Sequence, residues 1–153
     1  MKMGIPYGGT KTGSLKLNPS FQATDFIALS VGGNDFALRR ETDVSVIIGL
    51  VQKVVQFYKR QGVNPQHIIY ITPYPPSGKM KAAALVGLCK NLNNLYADCI
   101  KQAHEVCAKE NIHIMDLSFF GDAEKKDPGT MIPEPTPYGA WKLAKMIQVI
   151  VLK

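Results

Sequence analysis

The stretch FIALSVGGNDF at residues 26–36 decides the fold of this chain. Residues 26–31 form a short apolar run that ends in glycine, which predicts a strand buried on both faces, as in a parallel sheet. Gly32 and Gly33 let the backbone turn sharply because they carry no Cβ. Asn34 and Asp35 follow at the carboxyl end of the strand, where open α/β sheets bind their ligands. The Asn34 amide would be a neutral donor suited to an oxyanion, although Gly-Gly-Asn-Asp is also ordinary turn chemistry.

The rest of the chain alternates helical and strand patterns, which predicts an α/β fold. A helix capped by Asp43 carries apolar residues at helical spacing from Val44 to Tyr58 and ends at Gly62. A strand at 67–72 follows, then a helical pattern over 79–110 with a break near Gly87. The remaining predictions are a strand at 112–116, a loop at 119–133, and a last helix with Thr136 as N-cap and Pro137 as its first residue. The core-facing residues predicted for that helix are Ala140, Leu143, Ala144, Ile147, Ile150 and Val151.

Length and composition indicate one globular domain spanning residues 1–153, with an irregular segment at 1–25. No apolar stretch approaches the length of a membrane span, and no signal-peptide pattern opens the chain, so we expect a cytoplasmic protein without a membrane partner. The three cysteines lie in or beside one predicted helix without metal-binding spacing, which indicates reduced core thiols and neither metal nor cofactor. The net charge of +6 is scattered over the chain, so a solvated surface is favoured over nucleic-acid binding.

The motif Gly32-x-Asn34-Asp35 after an apolar strand resembles the third sequence block of the SGNH (GDSL-type) hydrolases. The later order of helices and strands over residues 4–150 looks most like the isoamyl-acetate-hydrolysing esterase branch. This resemblance implies a three-layer, flavodoxin-like parallel sheet and a carboxylic ester hydrolase ancestry. It also implies that Asn34 and a glycine N–H form an oxyanion hole. Residues 4–10 resemble the second block, where Gly8 is the best match for that glycine and Gly9 is a second choice; a flexible glycine-rich leader is the alternative interpretation.

The residues that would perform the hydrolysis are missing from this pattern. The first block of the family, a strand ending in Gly-Asp-Ser with the nucleophile, has no counterpart here, and neither Ser77 nor any other serine replaces it convincingly. The family's Asp-x-x-His before the last helix is also replaced, with Met131 at the aspartate and Glu134 at the histidine position. Glutamate has an ordinary pKa of about 4.3, so Glu134 would act as a base only if burial raised that value.

We therefore predict a degenerate, inactive esterase-like domain that keeps part of an oxyanion hole for a small ester or acyl ligand. Two alternatives stay open: a truncated chain of an active ester hydrolase whose serine strand lies upstream, and a binding protein that uses the basic surface. The first strand of the sheet is expected to be absent. Residues 26–31 would then form an apolar edge that pairs with a second copy in a homodimer, unless residues 2–7 fill the vacated place.

Overall fold

The computed structural model describes residues 19–32, 43–73, 86–118, 131–132, 134–135 and 137–153, without the side chains of 86–93 and 131–135. Strands and helices alternate from residue 27 to residue 115, as the sequence predicts. The elements are β1 (Ile27–Ser30), α1 (Val44–Arg60), β2 (Ile68–Ile71), α2 (Val86–Glu110), β3 (His113–Met115), β4 (Met131–Ile132), β5 (Glu134–Pro135) and α3 (Pro137–Val151).

The central sheet is parallel and has the order β1-β2-β3. Ile27 pairs with Ile68 in the register between β1 and β2, and Ile69 pairs with His113 in the register between β2 and β3. Because all three strands run the same way, their carboxyl ends meet at one edge of the sheet. The short strands β4 and β5 form a separate antiparallel pair.

One face of the sheet is covered by α1 and α2. Ile27 and Leu29 of β1 share a buried cluster with Ile68 and Tyr70 of β2. The apolar stripe predicted for α1 is confirmed in full, since every member is buried: Val44, Ile47, Ile48, Val51, Val54, Val55 and Tyr58. Buried residues of α2 join the same cluster: Tyr96, Cys99, Ala103, Val106 and Cys107.

The opposite face of the sheet is covered by α3. Ile69, Met115 and Leu117 are buried there. The residues that pack against them are Phe26, Ile71, Leu143, Met146, Ile147 and Ile150. Two helices on one face and one on the other give three layers, so the described residues form the α/β arrangement that the sequence predicts and are compatible with a flavodoxin-like layout.

The prediction that β1 is buried on both faces is wrong. Ile27 and Leu29 are buried, but Ala28 and Ser30, which alternate with them along the strand, are exposed. The reason is that α3 packs over β2 and β3 and leaves the β1 end of its face uncovered within the described residues. The strand pattern alone could not show this, because alanine and serine are small enough for either environment.

The core face predicted for α3 needs a second correction. Leu143, Ile147 and Ile150 pack on the sheet as predicted, whereas Ala140, Ala144 and Val151 are exposed. Met146 takes a place on the sheet-facing side instead. Because α3 is apolar around most of its circumference, the sequence did not fix which side faces the core.

Several element ends differ slightly from the prediction. The strand predicted at 67–72 begins at Ile68, because His67 ends a short 3-10 turn that starts at Pro65. The loop predicted at 119–133 contains β4, which pairs with β5. The N-cap prediction is confirmed: Asp43 Oδ1 accepts a hydrogen bond of 2.9 Å from the N–H of Ser45.

Candidate functional site at the carboxyl edge of the sheet

The carboxyl ends of β1, β2 and β3 lead into Gly32, Thr72 and Asp116. This is the edge at which open α/β sheets bind their ligands. Each of the three residues is held there by a different kind of contact.

Gly32 is a position that only glycine can occupy without strain. Its φ is +109°, and a Cβ placed on it would lie 2.9 Å from Cγ2 of Ile47 at the start of α1. The hydroxyl of Tyr70 fixes the preceding turn by donating a hydrogen bond of 3.1 Å to the carbonyl of Val31. The backbone at Val31 and Gly32 is therefore set by close packing against α1 and β2.

Thr72 ties the ends of β2 and β3 together. It is 1% exposed, and its backbone N–H donates to the carbonyl of Met115 over 3.0 Å. Its hydroxyl oxygen accepts a hydrogen bond of 2.9 Å from the N–H of Leu117. The Thr72 side chain extends the β2–β3 pairing past the last ladder residue and thereby orients the chain around Asp116.

Asp116 and His104 form a pair at the end of β3. Nε2 of His104, on α2, lies 2.7 Å from Oδ2 of Asp116. Oδ1 of the same carboxylate accepts a hydrogen bond of 2.8 Å from the N–H of Ser118. Because a carboxylate only accepts hydrogen bonds, Nε2 carries the proton in this contact.

The pKa of Asp116 reflects two opposing influences. Partial burial raises it, but the hydrogen bonds from His104 and from the backbone and side chain of Ser118 outweigh burial and hold the pKa below its ordinary value of 3.8. Asp116 is therefore ionised near neutral pH, and it orients the His104 ring.

The sequence did not predict this pair. His104 lies on an exposed side of α2, and Asp116 is the first residue after β3. A short turn through Asn111 folds β3 back along α2, and Asn111 has the positive φ of 57° that such a turn needs. A histidine near the end of a helix, followed by a short turn and an acidic strand end, is the signal that could have indicated the contact.

A carboxylate–imidazole pair can orient a general base, but this pair lies at the end of β3, away from the Gly32 turn that follows β1. Two strand spacings, about 10 Å, separate β3 from β1. A general base has to reach the proton it abstracts over about 3 Å or through one water. We therefore assign the His104–Asp116 contact a structural role, joining α2 to the strand end.

The predicted site residues fall largely outside the described residues. Asn34, Gly8, Gly9 and Ser77 all lie outside them, so their positions relative to one another stay predictions. Glu134 lies in β5, opposite Ile132 of β4 in the antiparallel register, and its side chain is not described.

A second polar cluster lies where α1 approaches the end of α2. Glu110 is 7% exposed, and its Oε2 accepts hydrogen bonds from Nε2 of Gln56 at 2.6 Å and from Nζ of Lys59 at 2.9 Å. The neighbouring groove has a volume of about 600 Å³. It is lined by Gly49, Gln52, Lys53, Gln56, Phe57, Arg60 and Glu110. Because the buried carboxylate already has two donors, the cluster is a structural link between the helices.

His67 lies directly before β2, at the amino edge of the sheet. Its ring stacks on Phe26 with 4.4 Å between the centroids. Its Nδ1 is buried without a hydrogen-bond partner among the described residues. Its location at the edge opposite Gly32 separates it from the candidate site.

The described residues contain no group of three or more His, Cys, Asp or Glu side chains that could hold a metal ion. Among those residues no helix is long and apolar enough to cross a bilayer. No family model, curated protein or solved structure matches the chain.

Proposed function

We propose that this chain is a degenerate SGNH-type ester hydrolase domain that lacks catalytic activity and retains part of an oxyanion hole. The observation that carries the proposal is the turn at Gly32, which follows the first described strand of a parallel sheet and precedes Asn34 by two residues. Gly32 has a positive φ, and a Cβ added to it would lie 2.9 Å from Cγ2 of Ile47, so any side chain at this position would be strained. The ligand of such a remnant would be a small ester or acyl group.

Loss of catalysis follows from the residues present. The motif positions for the base and its orienting acid hold Glu134 and Met131, and no serine stands in a nucleophile motif. In serine proteases, loss of any triad member leaves only about 10³–10⁴-fold acceleration over water. This chain lacks all three members.

We place the chain in the cytoplasm, because its buried free thiols would stay reduced there.

The experiment that tests the proposal is hydrolysis of p-nitrophenyl acetate by the purified chain. We expect a rate equal to that of the unfolded protein at the same concentration. Saturable hydrolysis that Asn34→Ala abolishes would overturn the inactive assignment. Glu134→Gln, Ser77→Ala and His104→Ala would then identify the base and nucleophile, and retained activity in His104→Ala would show that the structural histidine takes no part.

The second candidate is a piece of an active ester hydrolase whose serine strand lies upstream. The exposed side chains of Ala28 and Ser30 favour it, because a further strand–helix unit packed beside β1 would cover that face. Sequencing the complete transcript tests this candidate. An upstream segment ending in Gly-Asp-Ser after an apolar strand would support it, although Met131 and Glu134 would still stand at the base positions.

A further inference from the structure

Helix α3 is apolar on two opposite sides. Its inner side packs on the sheet through Leu143, Met146, Ile147 and Ile150. Its outer side and the residue after the helix expose large apolar side chains. The exposed fractions are 49% for Tyr138, 55% for Trp141, 59% for Val149 and 74% for Leu152. A helix that is apolar all round is normally covered on both sides, so the outer side is an unusual solvent-facing surface.

The four exposed apolar residues and the exposed Lys145 form one continuous stripe. Their positions, 138, 141, 145, 149 and 152, are separated by steps of three or four residues, which places them along one line of the helix. The rings of Tyr138 and Trp141 stack with 6.0 Å between centroids at the start of the stripe. The i−4 hydrogen bond from the N–H of Leu152 to the carbonyl of Gln148 extends the helical turn to the end of the stripe. We call these five residues the outer stripe.

The charged side chains of α3 and the two residues after it are all positive. Residues 137–153 contain three lysines and no aspartate or glutamate. Lys145 lies within the outer stripe, where its Nζ is 3.2 Å from Oε1 of Gln148. Nζ of Lys142 lies 5.1 Å from the centre of the Tyr138 ring, and Lys153 is exposed at the end of the chain. A partner for this stripe must therefore offer negative charge next to apolar groups.

A second copy of the chain fits the stripe poorly. Lys145 lies at its centre, so a two-fold antiparallel contact between two identical stripes would place Lys145 against Lys145 of the other copy. Like charges opposed in this way destabilise a contact, and no acidic side chain of α3 relieves them.

We propose that the outer stripe binds peripherally to bilayers that contain anionic phospholipids. Tryptophan, tyrosine and lysine side chains suit the headgroup region of a bilayer, where an apolar body and a polar or charged tip are both satisfied. Val149 and Leu152 would enter the acyl boundary, and the lysines would contact acidic headgroups. The stripe is about 21 Å long and lies along one side of the helix, which suits a flat surface. This binding needs no helix that crosses the membrane, so it departs from the sequence-based expectation of no membrane partner, which rested on the lack of a spanning segment. It does not depend on the ester hydrolase proposal.

The experiment uses the fluorescence of Trp141, the single tryptophan of the chain. The intact chain is mixed with vesicles of phosphatidylcholine alone or with added phosphatidylserine. We expect a blue shift of the emission and quenching by brominated acyl chains with the phosphatidylserine vesicles, and weaker binding as salt increases. An unchanged spectrum at low salt overturns the proposal. A blue shift without vesicles that grows with protein concentration overturns it in favour of a second copy.

Paired charge variants separate the stripe from the overall charge. Neutralising two lysines near an anionic surface weakens vesicle binding by about thirtyfold, so we expect that loss for Lys142→Gln/Lys145→Gln. Lys101→Gln/Lys109→Gln changes two exposed lysines of α2 and is expected to bind within about threefold of the parent chain. Equal losses in both pairs would overturn the role of the stripe. An acidic amphipathic peptide that shifts the Trp141 emission when vesicles do not would overturn the proposal in favour of a protein partner.

Discussion

At the residue scale, Gly32 is held by both its backbone conformation and its surroundings. Its φ is +109°, and an added Cβ would lie 2.9 Å from Cγ2 of Ile47. We expect Gly32→Ala to lower the free energy of unfolding by about 1–3 kcal/mol from backbone strain, with a further loss from the contact with Ile47. Urea denaturation of the variant and the parent chain measures the difference.

Two other glycines separate the causes of that loss. Gly62 has a φ of +85° but open space around its Cβ position, so Gly62→Ala should cost only the strain of a left-handed residue, about 1–2 kcal/mol. Gly49 lies inside α1 and also has open space, so Gly49→Ala should stabilise the helix by about 0.5–1 kcal/mol. A loss at Gly32 no larger than that at Gly62 would contradict the role of the Ile47 contact.

Asp116 predicts a specific pH dependence of stability. Its pKa in the folded chain lies below the ordinary value of 3.8, so its contribution is present above that value and is lost as the pH falls through the folded pKa. Asp116→Asn removes this contribution. We therefore expect the variant to have a smaller free energy of unfolding than the parent near neutral pH. The difference between the two should shrink as the pH falls below 3.8.

Urea midpoints of the two chains across the acidic range measure that convergence. His104→Ala provides an independent check, because it removes one of the hydrogen bonds that lower the Asp116 pKa while keeping the carboxyl group. A constant stability difference between Asp116→Asn and the parent at every pH would show that the carboxylate does not titrate with folding.

At the element scale, α2 carries two buried thiols on its core side. Burial raises the pKa of Cys99 to about 11 and that of Cys107 to about 12, so neither is a thiolate near neutral pH. We expect both to stay unlabelled by Ellman's reagent in the folded chain and to react once urea unfolds it. The measurement uses Cys89→Ser, which removes the third thiol; rapid labelling of this variant without loss of helical signal would contradict the packing of α2.

The described elements also show which features a sequence can predict. The α1 stripe was predictable because seven large apolar residues recur at one helical spacing and a single face satisfies them all. The inner side of α3 was less predictable because apolar residues surround the helix, so the core face depends on the sheet that it meets. The exposure of Ala28 and Ser30 depends on how far α3 extends over the sheet, which is a property of the tertiary structure.

The candidate site shows the same limit. The glycine turn after β1 was predicted because Gly32 encodes a local backbone requirement. The contact between His104 and Asp116 was missed because it depends on how β3 folds back along α2, which no local pattern specifies. Thr72 was missed for a related reason, since its hydroxyl acts on the neighbouring strand.

At the scale of the whole molecule, the two faces of the sheet are covered unequally. The face with α1 and α2 is continuous from Ile27 of β1 to Ile112 before β3. The opposite face is covered by α3 over Ile69 and Met115, while Ala28 and Ser30 face solvent. Since β1 is also the last strand on its side of the described sheet, no strand among the described residues pairs with its outer edge, next to the exposed Ala28 and Ser30.

That edge leads to a prediction about assembly. An edge strand without a charged residue or proline is a template for pairing, and β1 has neither between Ile27 and Ser30. We expect the purified chain to form a two-fold dimer at micromolar concentration, with β1 and its exposed face against those of the other copy. Static light scattering measures the mass.

Ala28→Arg/Ser30→Arg should shift the population toward monomer by placing charge on exposed positions, whereas Val46→Arg, at an exposed position of α1, should leave the dimer unchanged. A strict monomer in the parent chain would contradict pairing between copies and would favour the other outcome that the sequence allows, in which residues 2–7 lie beside β1.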